Sequence, residues 1–301
     1  MKVIRDLALA MAGLAALSCS LNRLAVNKLG DALAEGSSTY AIDDDPELVG
    51  QALPFALKTI EGLLQSSPEH RGLLLAAASG FTQYSYAYVH CEADYVESAD
   101  LARAAALRAR AVRLYVRARN YGLRGLEVAS PGFGVALRRD PAAAATKLRK
   151  DDVAVAYWTA LPWAAAAAVA KNGDLVADLP LVEAIMRRAL ELDEGFGDGA
   201  IHDFFISYEG GRPAAAGGST ERAQAHLERA LQLAVGKRVA PLVSFAETVC
   251  VAQQDRARFI ELLGRALELD ADRFPEQRLA NLVAQKRARW LLSRVDELFV
   301  E

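Results

Sequence analysis

The adjacent pair His202-Asp203 is the kind of dyad that ligates metals on helices. A metal-activated water needs more ligands around the same centre. The chain supplies only three other histidines, His70, His90 and His226, each in a different sequence context. Cys-His zinc spacing is absent: His90 and Cys91 are neighbours on a predicted helix, so their side chains diverge. No G-x-S-x-G nucleophile elbow occurs, although triads assembled in space leave no such mark. The glycine-rich stretch Gly210–Ser219, "GGRPAAAGGS", lacks the Lys-Ser/Thr end of a phosphate loop. No metal or cofactor is expected, and a helical hydrolase is the weakest functional reading.

Residues suited to binding are better represented. In "GFTQYSYAYVH" (Gly80–His90), Phe81, Tyr84 and Tyr88 share one helical stripe, and Gln83, Tyr86 and His90 share another. The first stripe can pack against a neighbour. The second is polar where a sandwiched helix would want Ala or Leu. It must meet water, a ligand or a partner side chain, because each polar group buried unpaired costs about 1–3 kcal/mol. Ordinary repeat packing of both stripes is the alternative. Trp158 and Trp163 are five residues apart and point about 140° from each other, so at most one faces a given cavity. In "IHDFFISY", Phe204 and Tyr208 align at i, i+4 and serve either a cavity wall or the core. The basic cluster "QKRARW" (Gln285–Trp290) offers Arg287 and Arg289 as partner or anion contacts, since guanidinium forks suit carboxylates; a solvated helix face is the plainer alternative.

The elements that must position these residues are helices. "RALELD" occurs at Arg188–Asp193 and again at Arg265–Asp270, with "RALQLA" at Arg229–Ala234 between them. The spacings match a helix–turn–helix repeat. Each copy ends an i, i+4, i+7 stripe: Val182, Met186, Ala189; Ala223, Leu227, Ala230; Phe259, Leu263, Ala266. A degenerate copy is Ala56, Ile60 and Leu63, closed by Pro68. These stripes resemble the second helix of a tetratricopeptide (TPR) repeat, but Glu194, Val235 and Ala271 stand where its proline belongs, and the Trp and Leu-Gly of its first helix are missing. The composition is 52% hydrophobic and 7% aromatic, much of the apolar part being Ala, with no sustained two-residue alternation. This predicts an all-α fold of about a dozen helices in antiparallel pairs. Asp45-Pro46-Glu47 predicts a helix start. One long helix is expected from Tyr95 to Tyr121, stopped by Gly122, apolar on two opposing faces and edged by Arg103, Arg110, Arg113, Arg117 and Arg124. Residues 130–150 read as irregular. The net charge of −3 gives no sign of nucleic-acid binding.

The first residues are a separate object. A basic start (Lys2, Arg5), an apolar run Leu7–Leu17 and Ser18-Cys19 predict a secretion signal at 1–18, too short to span a bilayer. Cys19 after a small residue resembles a bacterial lipoprotein box, with Ala16 where the pattern prefers Leu. A lipid-anchored helix and linker would occupy 19–42, and the helical domain 43–301. Val153–Ala170 carries no charge but is Ala-rich and interrupted by Thr159 and Pro162, so it reads as a buried helix. Cys91 and Cys250 remain either a disulfide pair or two buried thiols.

Four segments resemble one family. Asp43–Val89, Tyr157–Ala166 ("YWTALPWAAA"), the repeat segments "GGSTERAQAHLERALQL" and "QDRARFIELLGRALELD", and Arg278–Phe299 are similar to blocks of the TatT family, the TPR-containing T component associated with TRAP transporters. The resemblance implies a periplasmic, lipid-anchored helical scaffold that partners the solute-binding P subunit. It also implies homo-oligomers, with trimers expected, around a cavity, and a small hydrophobic or carboxylate-bearing ligand. A generic TPR-like envelope-assembly lipoprotein with no solute is the competing reading.

Overall fold

The computed structural model describes residues 37–170 and 173–300. The signal segment, Cys19 and most of the 19–42 linker lie outside the described residues. Among the described residues every regular element is a helix.

After a short α1 (Ser37–Ala41), α2 (Pro46–Ser66) begins where Asp45 caps it, its carboxylate accepting from the amides of Glu47 and Leu48 at 3.0 and 2.9 Å. α3 (Arg71–Ser85) continues through a wider π turn, Tyr86–His90, into α4 (Cys91–Val96). α5 (Leu101–Ala129) follows. The expected Tyr95–Tyr121 helix is therefore corrected at both ends. Asp100 breaks the chain and caps α5, accepting from the Arg103 amide at 2.9 Å. Gly122 does not stop the helix; it lets α8 (Val153–Ala170) cross it. A Cβ on Gly122 would stand 2.2 Å from Thr159 Oγ1 and 2.9 Å from Thr159 Cα, and one on Gly125 would stand 2.8 Å from Val155 Cγ2. Glycine serves close approach here, not termination.

α5 packs on α3 and α8 through Ala111, Tyr115, Ala118, Gly122 and Leu126. The second apolar face is only partly covered, because Ala105 and Ala109 are exposed. The arginine edge is exposed and partly paired: Arg103 with Glu92 at 3.1 Å and Arg117 with Glu61 at 3.6 Å. Residues 130–150 hold two short helices, α6 (Phe133–Arg139) and α7 (Pro141–Ala145). Asp140-Pro141, which reads as a break, is a cap followed by a first-turn proline; the Asp140 carboxylate accepts from the Ala143 amide at 3.0 Å.

The chain continues through α9 (Gly173–Ala177), α10 (Leu179–Leu192), α11 (Ala200–Gly210) and α12 (Thr220–Ala234), the last capped by Ser219. α13 (Ala240–Phe245) passes through a second π turn, Ala246–Cys250, into α14 (Val251–Gln253). α15 (Arg256–Glu268), α16 (Arg278–Ser293) and α17 (Val295–Leu298) complete the fold, the last two separated at Arg294.

Helices pack in consecutive pairs, α11 on α12 and α15 on α16. All nine stripe residues of the three repeat copies are buried. α11 joins two core regions: Phe204 and Phe205 pack with Trp163 and Met186, while Ile206 packs with Leu227 and Phe259. α8 has the length and apolarity of a membrane span, but Ala156, Ala160, Trp163 and Ala167 bury it between α5 and α10. Cys91 and Cys250 are both buried free thiols.

Candidate functional site: an aromatic cluster between two π turns

Tyr86 opens the first π turn and is 41% exposed. Its hydroxyl is nonetheless desolvated, and interacts with Cys91, Glu247, Arg287 and Tyr115; Cys91, burial and Glu247 in that order push its pKa well above the usual phenol range. The ring is thus open to solvent, while its hydroxyl end lies among Cys91, Glu247 and Arg287. His90 stands edge-on to both Tyr86 (6.4 Å between ring centres) and Tyr115 (6.0 Å), with its Nδ1 3.2 Å from the Tyr115 hydroxyl. Burial lowers the His90 pKa, so the ring favours the neutral state, and burial pushes the Cys91 thiol up to about 11. The wall is thus aromatic and uncharged, with hydroxyl and imidazole groups for hydrogen bonding.

Behind the wall runs a charged chain. Glu97 and Asp94 hold Arg108 at 2.7 and 2.9 Å; the second oxygen of Asp94 lies 2.9 Å from Arg287; and Arg287 also grips Glu247 in the second π turn. Arg287 is 6% exposed and lies 4.2 Å from the Trp290 ring centre. Burial opposes its charge, but Glu247 more than offsets this and its pKa is raised. Its Nη1 is buried without a hydrogen-bond partner. One side chain from α16 therefore pins α4 to the second π turn. π turns insert a residue into the helical register and recur at functional sites.

The structure brings Tyr86, His90 and Arg287 together. Gln83 is exposed, and its amide donates to the Ser79 carbonyl at 3.3 Å. Tyr84 is half-buried, its hydroxyl accepting from Arg110 at 3.2 Å. Trp158 is half-buried, edge-on to Tyr157 at 5.0 Å, while Trp163 is fully buried. Phe204 and Tyr208 are buried and stacked at 5.4 Å, with the Tyr208 hydroxyl donating to Glu183 at 3.0 Å. These last three aromatics belong to the core that contains Met186, not to the Tyr86 cluster. Arg289 is exposed. Asp94, Arg108, Tyr115 and Glu247 carry no distinguishing pattern in the sequence; only the Asp94 position, four after His90, marks it as facing the same side.

The His202-Asp203 dyad separates. Asp203 pairs with Arg238 at 3.1 Å. His202 Nδ1 meets His226 Nδ1 at 2.8 Å and its Nε2 meets Glu194 at 3.2 Å, while Arg229 holds both oxygens of Glu194 at 2.7 Å. Among the described residues no cluster of three or more potential ligands is arranged to hold a metal ion.

Helices packed in consecutive pairs define a compact all-α, TPR-like protein. The chain belongs to the TatT family: the family model described as the TRAP transporter T-component matches residues 42–299. A protein of Treponema pallidum (strain Nichols), described as uncharacterized, is 30% identical over 302 residues, covering 94% of each chain.

Proposed function

We propose that this T component is a periplasmic, lipid-anchored, non-enzymatic scaffold that works as a homo-oligomer with the solute-binding P subunit of a TRAP-type uptake system, and that the aromatic cluster at Tyr86 holds a small ligand. Family membership supports the partnership. The observation that carries the ligand reading is the exposed Tyr86 ring, set edge-on to His90, with its hydroxyl end among Cys91, Glu247 and Arg287. A free carboxylate would meet Asp94, Glu97 and Glu247 against only two guanidiniums, both already paired. The cluster therefore favours an apolar ligand with a hydrogen-bonding group over a carboxylate. Arg287 serves as the pin of the wall, and Arg289 remains available to a partner.

The test is Tyr86→Ala, read by P-subunit binding and by native mass spectrometry for co-purified ligand and oligomer. Removing a wall ring should move the melting temperature by less than about 4 °C and weaken binding about tenfold. A large loss of stability with binding per folded molecule intact would overturn the ligand reading. Recovery of envelope-assembly proteins without any P subunit would favour the generic scaffold instead.

A further inference from the structure

A second concave site lies at the far end of α3 from Tyr86, about 22 Å away along the helix axis at 1.5 Å per residue. It is a cleft of about 740 Å³ between the first turn of α3, the end of α5, the 146–152 turn and the last turns of α10. Its lining is unlike the rest of the chain. Five cationic side chains face two carboxylates there, whereas the whole chain carries a net charge of −3.

The carboxylates do not neutralise it. Asp152 is buried and committed, pairing with Arg71 at 2.7 Å and accepting from the Arg149 amide at 3.1 Å. Arg188 reaches Glu191 at 3.0 Å, but its Nε is buried without a partner. Lys147, Arg149 and Lys150 are exposed and pair with no carboxylate among the described residues. The turn that carries them is fixed by buried Leu148 and Asp152, and all three line the same cleft. Next to the cleft, a hollow of about 310 Å³ shares Arg71 and Asp151 and continues along Gly72, Leu75, Ala154 and Val155, a mostly apolar floor.

We infer that this cleft binds a phosphate-type oxyanion, free or as the headgroup of an anionic phospholipid whose acyl-bearing end enters the adjoining hollow. Several cations without carboxylate partners in one concavity suit a phosphate, whose oxygens accept from several donors at once, better than a single carboxylate. The inference is independent of the ligand assigned to the Tyr86 cluster.

The test uses the full-length chain and calorimetric titration with two soluble probes, inorganic phosphate and dihexanoyl phosphatidylglycerol, with dihexanoyl phosphatidylcholine as the zwitterionic control. The variant Lys147→Gln/Arg149→Gln/Lys150→Gln changes only exposed positions. A second variant, Arg103→Gln/Arg110→Gln/Arg113→Gln, removes the same charge from the α5 edge. Binding of inorganic phosphate, weakened about tenfold or more by the first variant and unchanged by the second, supports the site with free phosphate as a sufficient ligand. Binding of phosphatidylglycerol alone, with the same pattern across the variants, supports it with the lipid headgroup as ligand. No binding of either probe to the unaltered chain overturns the inference. Equal loss in both variants, or no loss in the first, overturns it too.

Discussion

Gly122 is a mid-helix glycine, which normally weakens a helix by about 1 kcal/mol relative to Ala. Gly122→Ala should nevertheless destabilise the protein, by about 1–3 kcal/mol of overpacking, because the new methyl would press on the Thr159 backbone, which cannot swing aside. Gly62→Ala, where nothing lies within 4 Å of the added carbon, should be neutral or stabilise by up to about 1 kcal/mol. Urea midpoints of the two variants check this; equal shifts would sink the account. The same pair shows what is legible at this scale. A glycine in an apolar helical pattern reads equally as a stop or as a contact, and only the partner helix decides. Gln83, Tyr86 and His90 break the apolar pattern of the sequence; in the fold Gln83 and Tyr86 are exposed, while His90 is half-buried against Tyr115. Phe204 and Tyr208 read identically as wall or core, and the Glu183 carboxylate that satisfies Tyr208 comes from α10, far away in sequence.

Between elements, contacts from distant segments decide stability, and the two π turns beside Tyr86 and Glu247 have no distinctive composition to announce them. Arg287 ties α16 to α4 and to the second π turn. Arg287→Ala should cost about 3 kcal/mol, the low end for breaking a buried ion pair, because Asp94 keeps Arg108 and Glu247 is 31% exposed. Arg289→Ala on the same helix should stay within about 0.5 kcal/mol. Denaturant titration of both would expose the idea as wrong if Arg289 mattered equally. The His202–His226 contact joins α11 to α12 and makes that seam acid-sensitive. Two ring nitrogens at 2.8 Å need one of them unprotonated. Burial lowers both pKa values, that of His226 to about 4, with His202 adding to its shift. Between the ordinary 6.5 and that lowered value the unfolded chain binds protons that the folded chain does not. The contribution is fully present above the unfolded value and is lost as pH falls through the folded one. Glu194, held down to about 2 chiefly by Arg229, acts in the same direction at still lower pH. Urea midpoints should therefore drop between about pH 7 and pH 5, and His226→Gln should flatten that slope; an unchanged slope in the variant would place the acid sensitivity elsewhere.

At the scale of the whole molecule, the repeated six-residue phrase carries the architecture. Its three stripes recur at helix-pair spacing, and all nine stripe residues are buried, so fold class and pairing follow from periodicity alone. What periodicity cannot reach is how the domain is placed in the cell, which turns on Cys19. If that cysteine is acylated after removal of 1–18, each acyl chain contributes about 0.8 kcal/mol per buried CH₂, and dual acylation suffices for stable attachment. The domain end of the tether is set: α1 packs on α16, and the Arg278 guanidinium donates to the Ile42 carbonyl at 2.9 Å. Even fully extended, the stretch from Cys19 to Ser37 cannot span more than about 60 Å. The start of α1 would then stay within that distance of a membrane, which brings the helical domain near a permease and phospholipid headgroups. Cys19→Ser should abolish incorporation of labelled fatty acid and move the protein from the membrane to the soluble periplasmic fraction. Its melting temperature should not change, because the substituted position precedes every packed element described here. Persistent membrane attachment of the Ser variant would show that the domain is held by something other than this anchor.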